Sequence, residues 1–256
     1  MKALIGTLAC LAAIAPALAA GPEATANLSA AQIVERNVTA RGGLAAWRAV
    51  SAMTITGELD AGGKENTRLP YVLTMKRPNL TRLELRFQDQ TAVQVYDGKE
   101  GWKLRPFLGR NDVDPYRPAE LQAASSVPEL DGSLIDYDRK GTRIESQGVE
   151  DVEGKPAYKL RLTTKGGEPS NVWVDAVSFL EVKADGAPRR IDGKMHKVWV
   201  YYRDFHKDAG LTIAHVEETA VDGVKGTHKM TVKTVALNPV VDASTFAKPT
   251  PGKSAL

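Results

Sequence analysis

The chain has 256 residues, with 34 Lys and Arg against 31 Asp and Glu for a formal net charge of +3. Charges of both signs are interspersed, which excludes the like-charge runs of a nucleic-acid groove or a polybasic lipid anchor. The only cysteine, Cys10, lies in the N-terminal apolar run, so whatever follows must fold without disulfides.

Lys2 precedes an apolar run from Leu4 to Leu18, interrupted by Pro16, and Ala17-Leu18-Ala19 forms an A-x-A site. This is the arrangement of a cleavable secretory signal, since the run falls short of the ~20 residues that span a bilayer. The expected organisation is a signal peptide over 1–20 and one domain over 21–256 with short disordered ends, exported to a bacterial periplasm. Loss of Lys2 takes the net charge from +3 to about +2. No later apolar run is long enough for stable membrane insertion, and a chain of this size can bury its own core as a monomer.

Ser29-Ala30-Ala31-Gln32 has the form of a capping box, and Ile33, Val34 and Val38 follow it at helical spacing. The pattern predicts a helix over 29–40, a break at Gly42-Gly43, and a short second helix carrying Trp47 to about residue 50. From Ala52 the period becomes that of strands, punctuated by Asp97-Gly98, Glu153-Gly154, Asp192-Gly193 and Asp222-Gly223. Tyr71, Leu73 and Met75 alternate with polar residues, as do Leu83, Leu85 and Phe87, and Tyr158, Leu160 and Leu162. These are half-buried antiparallel strands. About eleven or twelve strands in succession predict a strongly curved sheet or barrel. Between Arg105 and Asp138 the strand signal lapses, and two short helices are expected, at Pro118–Ala124 and Leu130–Tyr137. The class is α+β, mainly antiparallel β.

The segment Lys197–Tyr202 departs from alternation because both of its faces are apolar. A curled sheet of about eleven strands is too wide to be filled by its own side chains, so one face of such a segment is expected to line an apolar cavity. Trp199 and Tyr201, which combine apolar bulk with a polar atom, are assigned to that cavity, and Val198 and Val200 to dry packing. Trp173, Leu83, Leu85, Phe87 and Trp102 complete the expected lining. The alternative is a dry core in which helices cover both faces.

Catalytic signatures are missing from the sequence: there is no GxSxG elbow, HExxH, GxxxxGK[ST] loop or GxGxxG turn. His196, His206, His215 and His228 match no metal-ligand spacing and read as surface or strand-edge residues. No catalytic residue, metal or cofactor is expected.

Several local signatures recur together in order: Ala40-Arg41-Gly42-Gly43 with Trp47-Arg48-Ala49-Val50, Gly57, Tyr96-Asp97-Gly98-Lys99 with Gly101-Trp102, Leu134-Ile135-Asp136-Tyr137 with Lys140-Gly141, Val152-Glu153-Gly154-Lys155, Val174-Asp175, Asp204-Phe205, Leu237-Asn238-Pro239 and Phe246-Ala247-Lys248-Pro249. The set resembles that of periplasmic outer-membrane lipoprotein-sorting proteins of the LolA-like superfamily. The resemblance implies a half-open β-barrel of about eleven strands whose helices form a lid over an apolar cavity for acyl chains. It implies a lid drawn from Leu121, Val127, Leu130, Leu134 and Ile135, and an arginine tying barrel to lid, for which Arg82 is the candidate. The function it implies is carriage of lipids or lipoprotein acyl chains, received from and delivered to inner- and outer-membrane transport proteins. The alternative is an envelope sensor that detects lipid or lipoprotein and signals through a protein partner.

Overall fold

The computed structural model describes residues 27–60, 67–126, 129–165, 167 and 169–251. The expected signal peptide, Val127 and the C-terminal end from residue 252 lie outside the described residues.

Helix α1 (Ala30–Ala40) begins where the sequence predicts it: the Ser29 hydroxyl accepts from the Gln32 N–H and the Gln32 side chain accepts from the Ser29 N–H. Its buried stripe is Ile33, Val34 and Asn37. Gly42 and Gly43 then stop it with φ of 111° and 92°, and a Cβ at Gly42 would stand 2.5 Å from the Gly210 carbonyl oxygen, so the break is also a point of close backbone contact. Helix α2 (Leu44–Arg48) follows and buries Trp47.

Among the described residues thirteen strands form one antiparallel sheet. They are β1 (Ala52–Asp60), β2 (Arg68–Lys76), β3 (Leu80–Phe87), β4 (Gln90–Tyr96), β5 (Gly101–Arg105), β6 (Arg110–Pro115), β7 (Arg143–Val152), β8 (Lys155–Thr163), β9 (Ser170–Asp175), β10 (Glu181–Ile191), β11 (Lys194–Asp208), β12 (Leu211–Val221) and β13 (Thr227–Leu237). The order is β6-β5-β4-β3-β2-β1-β13-β12-β11-β10-β9-β8-β7. Each half of the chain is thus a meander, and the halves join where β1 pairs with β13.

Two expectations are corrected here. Among the described residues the sheet has thirteen strands in place of about eleven and is open, with β6 and β7 at its edges, so barrel closure is not seen there. The additional strand, β6, reads Arg-Asn-Asp-Val-Asp-Pro, a sequence of low strand propensity that is extended because it pairs with β5. Leu130–Tyr137 is a run of turns instead of a helix: Gly132 and Asp136 adopt φ of 85° and 51°, which a helix does not admit. The third helix, α3 (Pro118–Ser126), is where it was expected.

Both helices and the turn segment pack on the same face of the sheet, the inner face. Ile33, Val34 and Leu134 join Tyr158, Leu160, Leu162, Val172 and Val174 of β8 and β9 in one core cluster. Trp47 and Ile135 join Met53 and Leu211 of β1 and β12 in another. A twisted sheet this wide curls, and bulges sharpen the bend. The register shift opposite Thr56 and Gly57, where Lys233 of β13 is the extra residue, falls at the join of the two halves. A Cβ at Gly57 would lie 2.0 Å from the Thr231 carbonyl oxygen and 2.7 Å from the Tyr71 ring, which rests over the glycine. Gly57→Ala is therefore expected to cost on the order of 2–3 kcal/mol in urea unfolding, because backbone and a buried ring must both give way.

On the outer face the C-terminal segment lies across β3–β5: Phe246 and Val241 pack with Val93, Val95, Leu104, Trp102 and Leu80. The edge strand β7 is protected by exposed charges, Glu145, Glu150 and Asp151, and by a bulge between Ser146 and Val149.

Candidate functional site: the inner face and its crossing segment

Strand alternation and register decide what the inner face carries. From Met53 and Ile55, which pack under Trp47, the same parity runs to Gly57 and Leu59 on β1, and pairs across to Leu69, Tyr71 and Leu73 on β2 and to Leu83 and Leu85 on β3. In the other half it runs through Val200 and Tyr202 on β11, Glu217 on β12, and Met230 and Val232 on β13. Leu59, Leu69, Leu73, Leu83 and Leu85 are only half-buried, and none joins a core cluster. Val200, Met230 and Val232 behave in the same way. Apolar side chains therefore line a concave face that the helices leave partly uncovered.

Polar groups stand at one place in this apolar surface. Glu217 is exposed, and the protein around it raises its pKa above the usual carboxylate range through desolvation. The Tyr202 phenol is likewise pushed up, by burial first and then by the charges of Glu217 and Glu181. Burial and the Glu217 charge do the same to Tyr71.

The connection between the two sheet edges, described over residues 116–126 and 129–142, packs Leu134 and Ile135 on the inner face. It is held unevenly. At one end α3 has a charged tie, the Lys103 ammonium of β5 with the Glu120 carboxylate. At the other, Asp131, 1% exposed, accepts from Arg77 Nη2 at 2.7 Å and from Lys140 Nζ. Arg77, in the β2–β3 turn, also donates to Glu129 at 2.7 Å and to the carbonyls of Val50 and Trp47. Arg41 donates to the Asp131 carbonyl at 2.8 Å, reaches Glu181 of β10 at 3.3 Å, and stacks 4.4 Å over the Trp47 ring. Arg48 grips Asp136 through two hydrogen bonds, and that pairing holds the Asp136 pKa below the carboxylate range.

No protein-family model matches this sequence, and no curated protein matches it by sequence. Solved structures do match in three dimensions. A LolA superfamily protein from Nitrosomonas europaea superimposes with a TM-score of 0.57 at 13% identity, over 86% of this chain and 98% of that one. An outer membrane lipoprotein-sorting protein domain from Vibrio parahaemolyticus gives 0.55 at 12%, over 84% and 95%. This chain has the LolA-like fold. A DUF1329 family protein from Desulfovibrio piger is similar to the same degree, with a TM-score of 0.56 at 14% identity over 84% and 95%.

Within the LolA-like fold the sequence-derived site residues fall on both faces. Leu83 and Leu85 are on the inner face, and Phe87 is at its rim, 37% exposed and edge-on to Phe107. Trp173, Trp199 and Tyr201 are on the outer face. Trp173 alternates with Val172 and Val174, which pack under α1, so it points away from the helices. Lys183 then brings the three aromatics together, its ammonium 4.6 Å from the Trp173 ring, 5.1 Å from Trp199 and 5.4 Å from Tyr201. What covers the second apolar face of Lys197–Tyr202 is thus a cation and its neighbours, in place of a cavity. Trp102 is on the outer face as well, under Phe246 and Val241.

Arg82 is also on the outer face, bonded to Glu84 and to the Thr245 carbonyl, so it ties the sheet to the C-terminal segment and not to the crossing segment. Sequence reasoning missed Arg77, Arg41 and Asp131, which do make that connection. A depression of about 400 Å³ beside Arg82 has a chiefly polar lining and belongs to this outer face. Of the crossing-segment residues, Leu134 and Ile135 are fully buried, while Leu130 and Leu121 are half-buried. The turns from Leu130 to Tyr137 are accordingly fixed core, leaving α3 as the more weakly held part. His215 is buried against Asp208 and stacked on His206 at 4.2 Å, a correction to its reading as a surface residue. Among the described residues no group of three or more His, Cys, Asp or Glu is arranged to hold a metal. No helix among them is long and apolar enough to cross a membrane.

The outer position of Trp199 has a measurable consequence. Trp199→Ala is expected to cost about 1–2 kcal/mol through lost packing with Lys183 and its neighbours, and to leave amphiphile binding unchanged. Urea unfolding beside a lipid-binding titration checks both parts.

Proposed function

We propose that the protein is a periplasmic carrier that shields acyl chains of lipids or lipoproteins on its inner face, for transfer toward the outer membrane. The observation that carries this reading is the row of half-buried leucines, Leu59, Leu69, Leu73, Leu83 and Leu85, none of which joins a core cluster among the described residues. The LolA-like fold supports it, as does the N-terminal sequence with the features of an export signal. Carriage makes and breaks no covalent bond. Each methylene moved from water onto such a face contributes about 0.8 kcal/mol, so a lipid chain of ordinary length binds without any further chemistry. In this reading Leu121 belongs to the element that opens: α3 swings while the Asp131 end of the crossing segment stays fixed.

The test is native mass spectrometry of the exported protein purified without detergent. A lipid bound at near-equimolar ratio supports carriage. Protein that is always empty, and that takes up no lipid after exposure to extracted envelope lipids, contradicts it.

A further inference from the structure

The end of the sheet remote from the helices carries two hairpin tips that acyl-chain carriage does not use. Helix α2 packs at the Met53 end of β1, and at the other end Asp60 pairs with Lys229, just after the β12–β13 turn. The β10–β11 hairpin reaches past its neighbours there. Strand β9 pairs with β10 only over residues 181–184, and β12 meets β11 from Val198 onward, so residues 189–191 and 194–196 form a two-stranded ribbon with no third strand. The β12–β13 turn lies against its base: the Asp222 N–H donates to the Lys197 carbonyl at 2.9 Å, and His196 Nδ1 donates to the Asp222 carbonyl at 2.7 Å. The two tips so joined present five cations, Arg189, Arg190, Lys194, Lys197 and Lys225, against Asp192 and Asp222. Among the described residues none of the five has an ion-pair partner, and Arg190 gives one hydrogen bond to the Gly193 carbonyl. Met195, 58% exposed, and Val224, 43% exposed, stand among them. Cations occupy both faces of the ribbon, because Arg190 pairs with Met195 and Arg189 with His196, and successive pairs point opposite ways. No linear run of like charge announces this patch, since two hairpins supply it.

We infer that these two tips dock the protein, end-on, against the surface of an anionic lipid bilayer. Exposed apolar side chains among cations match that surface: the cations meet phosphate head groups, while Met195 and Val224 enter the boundary between head groups and acyl chains. A protein partner would read one defined face of the ribbon, whereas cations on both faces suit a surface that surrounds the tip. The docked end is also where Leu59 and Leu69 pair, next to Asp60 and Arg68. A bilayer there stands at the end of the inner face that the helices leave uncovered. The inference goes beyond the carrier reading, because it names a surface on which the protein rests and holds whether or not a lipid is carried.

The experiment is co-sedimentation of the exported protein with vesicles of phosphatidylcholine alone, or of phosphatidylcholine with about one third phosphatidylglycerol, at about 0.1 M salt. Wild type should bind the anionic vesicles at least about tenfold more tightly than the neutral ones, and should leave them as salt rises to about 0.5 M. Lys194→Gln combined with Lys197→Gln should weaken that binding at least about tenfold, at about fivefold for each cation near such a surface. Met195→Ser combined with Val224→Ser should weaken it about fivefold while leaving the salt dependence in place. The control is Lys99→Gln combined with Lys207→Gln, which removes the same charge from exposed positions at the helix end of the sheet and should change nothing. Wild type that binds neither vesicle, or both alike, overturns the bilayer as the partner and leaves a protein to account for the tips. Equal weakening by the control pair overturns the assignment to these hairpins. Neither result bears on the carrier reading, which the co-purified lipid decides.

Discussion

Replacing Asp131 with alanine should destabilise the protein by about 3–5 kcal/mol, the largest loss expected of any single polar substitution in the chain. Asp131 is 1% exposed and its carboxylate meets two cations, Arg77 on one oxygen and Lys140 on the other. Arg41 approaches the same residue through its backbone carbonyl. Removing the carboxylate leaves three cationic groups around a buried point with only Glu129 and Glu181 to answer them. The packing consequences follow directly, because the turns fixed by Asp131 carry Leu134 and Ile135 into the two core clusters. Urea unfolding measures the loss, and limited proteolysis should show new cleavage between Leu130 and Tyr137. Asp131→Asn should recover only part of the stability, since it restores shape without charge. A loss under about 1 kcal/mol for the alanine variant would mean that the crossing segment is held by its apolar residues alone.

The second large effect is on binding. Leu83→Glu combined with Leu85→Glu should reduce amphiphile affinity at least about a hundredfold, because an acyl chain on the inner face would have to desolvate two carboxylates. The cost to stability should be small. Both leucines are half-buried, and neither joins a core cluster. Trp199→Glu, equally drastic but on the outer face, should leave affinity unchanged. Binding of a long-chain alcohol measured beside urea unfolding separates the two effects. A double variant that still binds tightly would remove β3 from the site.

Much of this arrangement was legible in the sequence, and the failures have a common cause. The capping box at Ser29, the glycine break at Gly42-Gly43 and the alternation in β2, β3 and β8 are local patterns, and the structure reproduces them. Which face of β11 looks inward is not local. Val198, Val200 and Tyr202 point one way and Trp199 and Tyr201 the other, but both sets are apolar. The residue that covers the aromatics, Lys183, comes from the neighbouring strand. The bulge at Val182 also shifts parity, so that Glu181 faces Arg41 inside while Lys183, two residues on, faces Trp173 outside. A period-two count along β10 places both on one face. The aromatics chosen for the cavity are placed elsewhere for the same reason: the tryptophans on the sheet are outside or under the C-terminal segment, whereas Leu83 and Leu85 face inward.

Arg77 illustrates a second limit. Nothing in Lys76-Arg77-Pro78 marks that arginine over Arg82, five residues later. Its importance comes from the β2–β3 turn meeting the C-terminal end of α2 and the Asp131 turn, three segments far apart in the chain. By contrast, Asp131-Gly132 was readable as a turn, and weighting that signal would have removed the expected helix over Leu130–Tyr137.

The most direct measurement of where a lipid sits is photo-crosslinking with a long-chain alcohol carrying a diazirine on its chain, followed by peptide mapping. Occupation of the inner face predicts adducts on the peptides that hold Leu69, Leu73, Leu83, Leu85 and Met230. Adducts confined to Trp173, Trp199 and Tyr201, or to the C-terminal segment beside Arg82, would contradict it and place the lipid on the opposite face of the sheet.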